Sequence, residues 1–244
     1  MAKFGRSDDL VGAEFVEANL RGARFVECDL SGAVMRGVDL QGADLDAPWL
    51  SEPGGSLKVN GVEVAAYVDG ELNRRFPGRA ERRAKDPDGL RAAWATVEQA
   101  WADALKRVES MPEPTVDASV DGEWSFAQTL RHLVHASDLW IGRSVLGRED
   151  FHPLGLSYLA KDDTTPPFAD VLAARESRVA MVRDLIAKVT PEELDTSRAN
   201  PHEPTRAETT RSCLHVILEE EWEHYRFATR DLDTLAAGQV TTGS

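Results

Sequence analysis

The sequence lacks the features of a secreted or membrane-spanning protein. It contains only two cysteines, Cys28 and Cys213, which are too few for a disulfide framework and are typical of a reducing compartment. The N-terminal stretch has no apolar signal core, and no stretch approaches the roughly 20 apolar residues needed to cross a bilayer. We therefore expect a cytoplasmic protein that has no membrane partner.

Positive charge is also scarce. Among 244 residues, 28 Lys and Arg side chains stand against 42 Asp and Glu, which gives a formal net charge of −14 at pH 7. Nucleic acids and anionic membranes are bound by clustered Lys and Arg, which displace counterions. The composition thus argues against nucleic acid as a partner and favours small molecules or proteins.

The first fifth of the chain repeats with a period of five residues. Large apolar side chains recur at Leu10, Phe15, Leu20, Phe25, Leu30, Met35, Leu40 and Leu45. Small side chains precede most of them by two positions. A period of five fits neither the 3.6-residue period of a helix nor the two-residue period of a strand.

This pattern resembles the pentapeptide repeat family over residues 8–47. The resemblance implies a right-handed quadrilateral β-helix, in which four pentapeptides make one coil and the central Leu or Phe points inward. Cys28 would then occupy an interior position. Eight pentapeptides give only two coils, so we expect this short solenoid to depend on the rest of the chain for stability.

Chain breakers follow at Pro48, Pro53, Gly54 and Gly55, and they indicate a linker over residues 48–79. Within it, the alternating apolar residues of 57–64 flank an Asn60-Gly61 pair, which predicts a small hairpin. The stretch that follows, up to Phe76, predicts a short helix that is stopped by Pro77.

Four longer amphipathic patterns follow, over about 86–108, 125–146, 168–189 and 207–235, and Ser125 is the expected N-cap of the second. They predict a mainly α fold with a four-helix bundle over residues 80–237. The connection at about 147–166 is long, and long loops in compact domains are often functional.

The last predicted helix carries a cluster of acids and histidines. At 100° per residue, Glu220 and His224 emerge on the same side, so both side chains can bind one ion. Glu221 falls within the apolar stripe, where a carboxylate needs a partner. His215 lies about 180° from His224 and Glu219 about 140° from it, so we expect His215 to lie apart and Glu219 to be solvated.

A Glu and a His four residues apart are also explained by a paired histidine near the helix surface. A metal site needs a third ligand, and the second predicted helix offers His132 and His135. Helical periodicity does not place His132 at the centre of a bundle. The residues alone therefore leave the metal site and the structural alternative open.

Two segments, "WSFAQTLRHLVHASDLWIG" and "CLHVILEEEWEHYRFATRDL", resemble the DinB superfamily of four-helix bundles with a metal site. The resemblance implies the ligands His132, Glu220 and His224. Glu220 stands where other members have a histidine, as in the mycothiol-dependent branch. Glu221 is then expected to orient a ligand, and His135 to be a spare ligand or proton carrier.

The resemblance also implies a chemistry. Two imidazoles and one carboxylate suit a divalent metal, with zinc as first choice and nickel, iron or manganese as alternatives. Family enzymes use the ion to activate a low-molecular-weight thiol such as mycothiol or bacillithiol, which implies a transferase or isomerase that joins this thiol cosubstrate to a small electrophile. No protein cysteine is needed as nucleophile.

Two further functions stay open. The acidic pentapeptide segment could contact a protein partner, with the bundle as a non-catalytic scaffold and the chain as a possible homodimer. Alternatively, the same ion could activate water in a metal-dependent hydrolase. Among the remaining residues we expect Trp124 to lie in the core and Arg143 to form an exposed ion pair, and we expect no role for His152 or His202.

Overall fold

A computed structural model describes residues 3–5, 8–52, 54–160 and 164–241. The chain divides into two compact units, Met1–Asp46 and Ala47–Ser244. In the described parts, no helix combines the length and the apolar character that a membrane span requires.

The first unit consists of turns that recur every ten residues. The carbonyl of Leu10 accepts from the N–H of Ala13 at 3.0 Å, and the same bond recurs at Leu20, Leu30 and Leu40. The Asp9 side chain accepts from the Val11 N–H one residue before Gly12, whose φ of +74° suits glycine. Two pentapeptides thus form one structural repeat.

The described residues of 8–46 contain no strand, so the β-helix stays a prediction. The central apolar side chains are exposed in the single chain, with 44% of Leu10 and 57% of Phe15 accessible. Cys28, expected at an interior position, is exposed as well. Its thiol donates to a local carbonyl oxygen, that of Val26 at 3.4 Å.

The second unit begins with a short 3-10 turn, Pro48–Ser51, and the predicted hairpin. Strands β1 (Lys58–Val59) and β2 (Val62–Glu63) pair antiparallel around Asn60 and Gly61, both of which have positive φ. Helix α1 follows as Ala65–Arg75, and a 3-10 segment spans Arg79–Arg83. The predicted linker 48–79 therefore lies in the same compact unit as the long helices.

Four long helices form the core of this unit. They are α2 (Pro87–Glu109), α3 (Phe126–Ser137), α4 (Phe168–Lys188) and α6 (Thr210–Thr241), with a short α5 (Pro191–Leu194) before α6. Helices α2 and α3 each pack against both α4 and α6. Apolar side chains from all four fill the interior, including Trp94, Leu130, Val182 and Leu218.

The boundaries of α3 follow from local sequence. Ser125 caps its N-terminus, as expected, because its hydroxyl accepts from the Gln128 N–H while the Gln128 side chain accepts from the Ser125 N–H. At its C-terminal end α3 continues into a π-helical turn, Asp138–Arg143. There the Leu146 N–H reaches the Ile141 carbonyl, five residues back, at 3.0 Å.

The predicted start of the last helix near Ala207 is wrong by three residues. Strand β3 (Ser197–Ala199) pairs antiparallel with β4 (Ala207–Thr209), which occupies that stretch instead. Helix α6 begins at Thr210 because the Thr209 hydroxyl accepts from the Ser212 N–H at 3.0 Å, in the manner of an N-cap.

Candidate metal centre

Helix α6 directs the side chains of one short stretch, residues 219–224, toward three different neighbours. Glu220 and His224, one turn apart, face α3 and meet His132. Glu219 and Glu223, also one turn apart, face the 3-10 segment Arg79–Arg83. Glu221 faces α4. The four acids of this stretch can be buried because each of them contacts a polar partner on a neighbouring element.

The three residues implied as ligands come together. One possible ligand atom from each of His132, Glu220 and His224 lies within 4.8 Å of the other two. The Glu220 Oε2 atom lies 3.4 Å from both His132 Nε2 and His224 Nδ1. The two imidazole rings stack at 4.7 Å between centroids. His132 is 7% and Glu220 9% exposed, so the cluster is shielded from bulk water.

Backbone carbonyls orient both imidazoles. The Nδ1 atom of His132 lies 3.1 Å from the carbonyl oxygen of Leu156, and that of His224 lies 2.9 Å from the carbonyl oxygen of Glu220. Because a carbonyl only accepts, each contact requires the proton on Nδ1. The neutral imidazoles then keep a lone pair on Nε2, which is the arrangement of a metal-ligating histidine.

Burial and neighbouring polar groups set protonation states of His224 and Glu220 that suit a bound cation. Burial lowers the pKa of His224 to about 4, although the Glu220 carboxylate acts in the opposite direction. Burial alone would raise the pKa of Glu220, but the neighbouring side chains of His132 and His224 lower it overall. At neutral pH the site thus combines a neutral His224 imidazole with an anionic carboxylate.

This donor set fits a divalent cation. Two imidazole nitrogens and one carboxylate oxygen are ordinary ligands of zinc and of related transition metals. The negative charge of Glu220 is buried without an arginine or lysine among the partners that the structure gives it. A cation at this position would neutralise that charge.

Two family profiles match the sequence. A family profile described as the DinB superfamily matches residues 96–228, which include all three clustered side chains. The chain belongs to the DinB superfamily. A second profile, described as pentapeptide repeats (8 copies), matches residues 13–47. No curated protein and no solved structure matches the chain.

Trp124, expected in the core, lies against the site of this DinB domain instead. Its ring is tilted by 36° to that of His132, with centroids 4.7 Å apart, and lies more nearly parallel to the ring of His224, with centroids 6.2 Å apart. The side chain is only half-buried. Its position just before the Ser125 cap brings it over the first turns of α3, next to His132.

Glu221 and His135 do not join the cluster. The Glu221 carboxylate is fully buried and pairs with Arg175 of α4, while burial raises its pKa. Glu221 was expected to orient a ligand, but it lies 100° around α6 from Glu220 and therefore faces α4. The ring of His135 lies 5.5 Å from that of Phe151, and burial lowers its pKa.

Glu219 is buried, and the prediction that it is solvated is wrong. Its Oε2 atom accepts from Arg82 Nε at 2.6 Å, and Arg79 Nη2 lies 3.5 Å from its other oxygen. Arg79 also donates to Glu223. Both arginines are buried, and burial raises the pKa of Glu219 against their attraction. The two arginines precede Glu219 by more than 130 positions, so a helical wheel could not reveal them.

The other expectations for polar residues have mixed outcomes. His215 lies apart from the site and contacts the Ala84 carbonyl oxygen at 2.8 Å. Arg143 is partly exposed and pairs with Glu149 at 3.5 Å, as expected. His202, to which we assigned no role, has its ring 5.7 Å from the ring of Trp140. Burial lowers the pKa of His135, and His202 acts in the same direction on His135 and, against burial, on Glu220. No spacing in the sequence links His202 to the site.

Proposed function

We propose that this DinB-family chain is a metal-dependent transferase or isomerase that activates a low-molecular-weight thiol toward a small electrophile. A divalent ion would be held by His132, Glu220 and His224. The observation that carries the proposal is the convergence of these three side chains from α3 and α6, with ligand atoms within 4.8 Å of one another. The carbonyl contacts at both Nδ1 atoms support the same conclusion, because a metal-ligating histidine usually donates its other ring N–H to such an acceptor.

A divalent ion, when bound, supplies Lewis acidity that lowers the pKa of a thiol or of water. The protein contributes the geometry. Leu156 fixes the ring of His132, the backbone of Glu220 fixes the ring of His224, and the ring of Trp124 lies beside both imidazoles. Glu220 holds the negative charge that offsets part of the charge of the ion.

Zinc is the metal we propose, because a His/His/Glu set is common for zinc, which often leaves one position open for a substrate. One carboxylate and two neutral imidazoles would leave a net charge of about +1 at a divalent site. That residual charge would favour a thiolate over a neutral thiol. Nickel, iron and manganese accept the same donors and are distinguished by elemental analysis.

The first experiment is elemental analysis of full-length protein purified without a metal-binding tag. We expect about one ion per chain in the wild type and its loss in His132→Ala and His224→Ala, because two ligands do not hold a divalent ion tightly. His215→Ala is the matched control, since His215 lies on α6 but contacts Ala84. A metal-free wild type with an intact fold would contradict the proposal and favour the non-catalytic scaffold.

The second experiment separates the transferase from the hydrolase. Metal-loaded protein is incubated with a panel of electrophiles, with and without mycothiol or bacillithiol, and both thiol consumption and hydrolysis are followed. Thiol-dependent turnover that is absent in His132→Ala supports the proposal. Turnover that needs no thiol would identify a metal-dependent hydrolase instead.

A further inference from the structure

The residue directly before His132 holds the long loop between α3 and α4. Arg131 is 5% exposed and donates from Nε to the carbonyl oxygen of Leu154 at 3.0 Å and from Nη1 to that of Thr164 at 3.3 Å. The backbone carbonyl of Arg131 also accepts from the Leu156 N–H at 3.0 Å. Arg131 thus contacts the described part of the loop through both its side chain and its backbone carbonyl.

The loop lies close against α3 at the same place. A Cβ atom at Gly155 would lie 3.4 Å from Cα and Cβ of His135 and 3.1 Å from the carbonyl oxygen of His152. The His152 N–H donates to the Asp138 carboxylate at 2.8 Å, which Arg178 also binds. Residues 152–156 are therefore fixed at one end to the Asp138 side chain of the π-helical turn and at the other end to the Arg131 carbonyl of α3.

Leu156 connects these loop contacts to the metal site. Its N–H binds the Arg131 carbonyl, and its own carbonyl oxygen lies 3.1 Å from His132 Nδ1. The position of that oxygen decides which nitrogen of His132 carries the proton and where Nε2 points. Any shift of the loop would change the orientation of the ring.

We propose that Arg131 is a positioning residue for His132, acting through the backbone of residues 154–156; this inference rests on the metal site proposed above. The planar guanidinium binds two carbonyls at once, whereas a lysine ammonium is a single point charge and cannot hold both in a fixed geometry. Arg131 therefore fixes the loop, and the loop carbonyl fixes the imidazole.

The test compares Arg131→Met and Arg131→Lys with the wild type in two measurements. The first is the dissociation constant for Zn²⁺, measured by competition with a chromogenic chelator. Loss of a partner that orients a metal-ligating histidine weakens metal binding by about 10- to 100-fold. The second is the tautomer of His132 in metal-free protein, read from ring ¹⁵N shifts assigned with His132→Gln. We expect the Nδ1–H form in the wild type and a mixture in Arg131→Met.

Arg91→Met is the matched control, because Arg91 is another arginine of the same unit that donates to a backbone carbonyl, that of Ile186 at 3.0 Å, and Ile186 is not one of the three clustered residues. We expect it to leave zinc affinity and the His132 tautomer unchanged. If Arg131→Met does not fold, Arg131→Lys decides, with a smaller loss of affinity in the same direction. Wild-type zinc affinity and tautomer in a folded Arg131 variant would overturn the inference, whereas an unchanged affinity in His132→Ala would overturn the metal site itself.

Discussion

Residues 8–46 and the helical unit that follows differ in the burial of their apolar side chains. In the first region every described residue is exposed in the single chain, and the recurring turns are closed by bonds between residues three positions apart. In the second, apolar side chains of four helices form one core, and buried acids are paired across elements. The comparison shows that a regular sequence pattern specifies local turns, whereas burial depends on partners that are distant in sequence.

The largest expected difference between the regions is in thiol reactivity. Burial raises the pKa of Cys213 to about 12, so at pH 8 roughly one part in 10⁴ of this thiol is thiolate. Cys28 is exposed. We expect one thiol of the native protein, Cys28, to react rapidly with DTNB. The reaction of Cys213 should be slow and should accelerate about tenfold per pH unit below its pKa.

Cys28→Ser supplies the control for this reaction. It should abolish the fast phase, and both thiols of the wild type should react once the protein is unfolded. Two fast thiols in native protein would contradict the burial of Cys213.

Removal of a buried charge partner should strongly destabilise the helical unit. Arg175→Met leaves the Glu221 carboxylate buried without its counter-charge. We expect the free energy of unfolding in urea to fall by about 3–5 kcal/mol. The double variant Arg175→Met/Glu221→Leu should recover much of the loss, because no unpaired charge remains.

Arg183 provides the matched comparison on α4. Its pair with Glu98 is about half exposed, and we expect Arg183→Met to change the free energy of unfolding by less than about 1 kcal/mol. Equal losses in the two arginine variants would show that burial of the Glu221 charge is not the cause.

Truncation of equivalent leucines compares the two regions directly. Leu130 is 1% and Leu20 46% exposed. Leu130→Ala should lower the free energy of unfolding by about 2–5 kcal/mol, because it leaves a cavity in the core. Leu20→Ala should change it by no more than about 0.5 kcal/mol in thermal melts of the full chain. A loss at Leu20 as large as that at Leu130 would mean that the repeat centres are buried in solution, as a β-helix requires.

The smallest expected effects concern local capping. Ser125→Ala removes the hydroxyl that accepts from the Gln128 N–H, and we expect a loss of about 1 kcal/mol in the free energy of unfolding. Asp29→Ala removes a similar local bond to the Ser31 N–H in the repeat region. We expect no change in the melting of the helices from Asp29→Ala; a shift would show that the turns stabilise the helical unit.

The fold could be predicted largely from sequence because helical spacing and caps are local signals. The hairpin at Asn60-Gly61, the cap at Ser125 and the four long helices follow from such signals. The start of α6 could not be predicted in this way, because Ala207–Thr209 forms a strand through pairing with β3.

The candidate site was predictable only in part. The spacing of Glu220 and His224 places both on one face of α6, but His132 came from a family resemblance and not from periodicity. The contact between the Leu156 carbonyl and His132 could not be predicted from residue types, because every residue has a backbone carbonyl. Trp124 was assigned to the core because its contacts depend on how the chain enters α3.

The contacts made by residues 219–224 of α6 depend more on the spacing of these residues along the helix than on the identity of any one of them. One residue inserted between Glu221 and Trp222 would rotate every later side chain by about 100° relative to those before it. His224 would then turn away from Glu220, and Glu223 would leave Arg79 in the same event. A point substitution removes one partnership, whereas a change of register there would dismantle several at once. Divergence of this segment should therefore proceed by replacement and not by insertion or deletion.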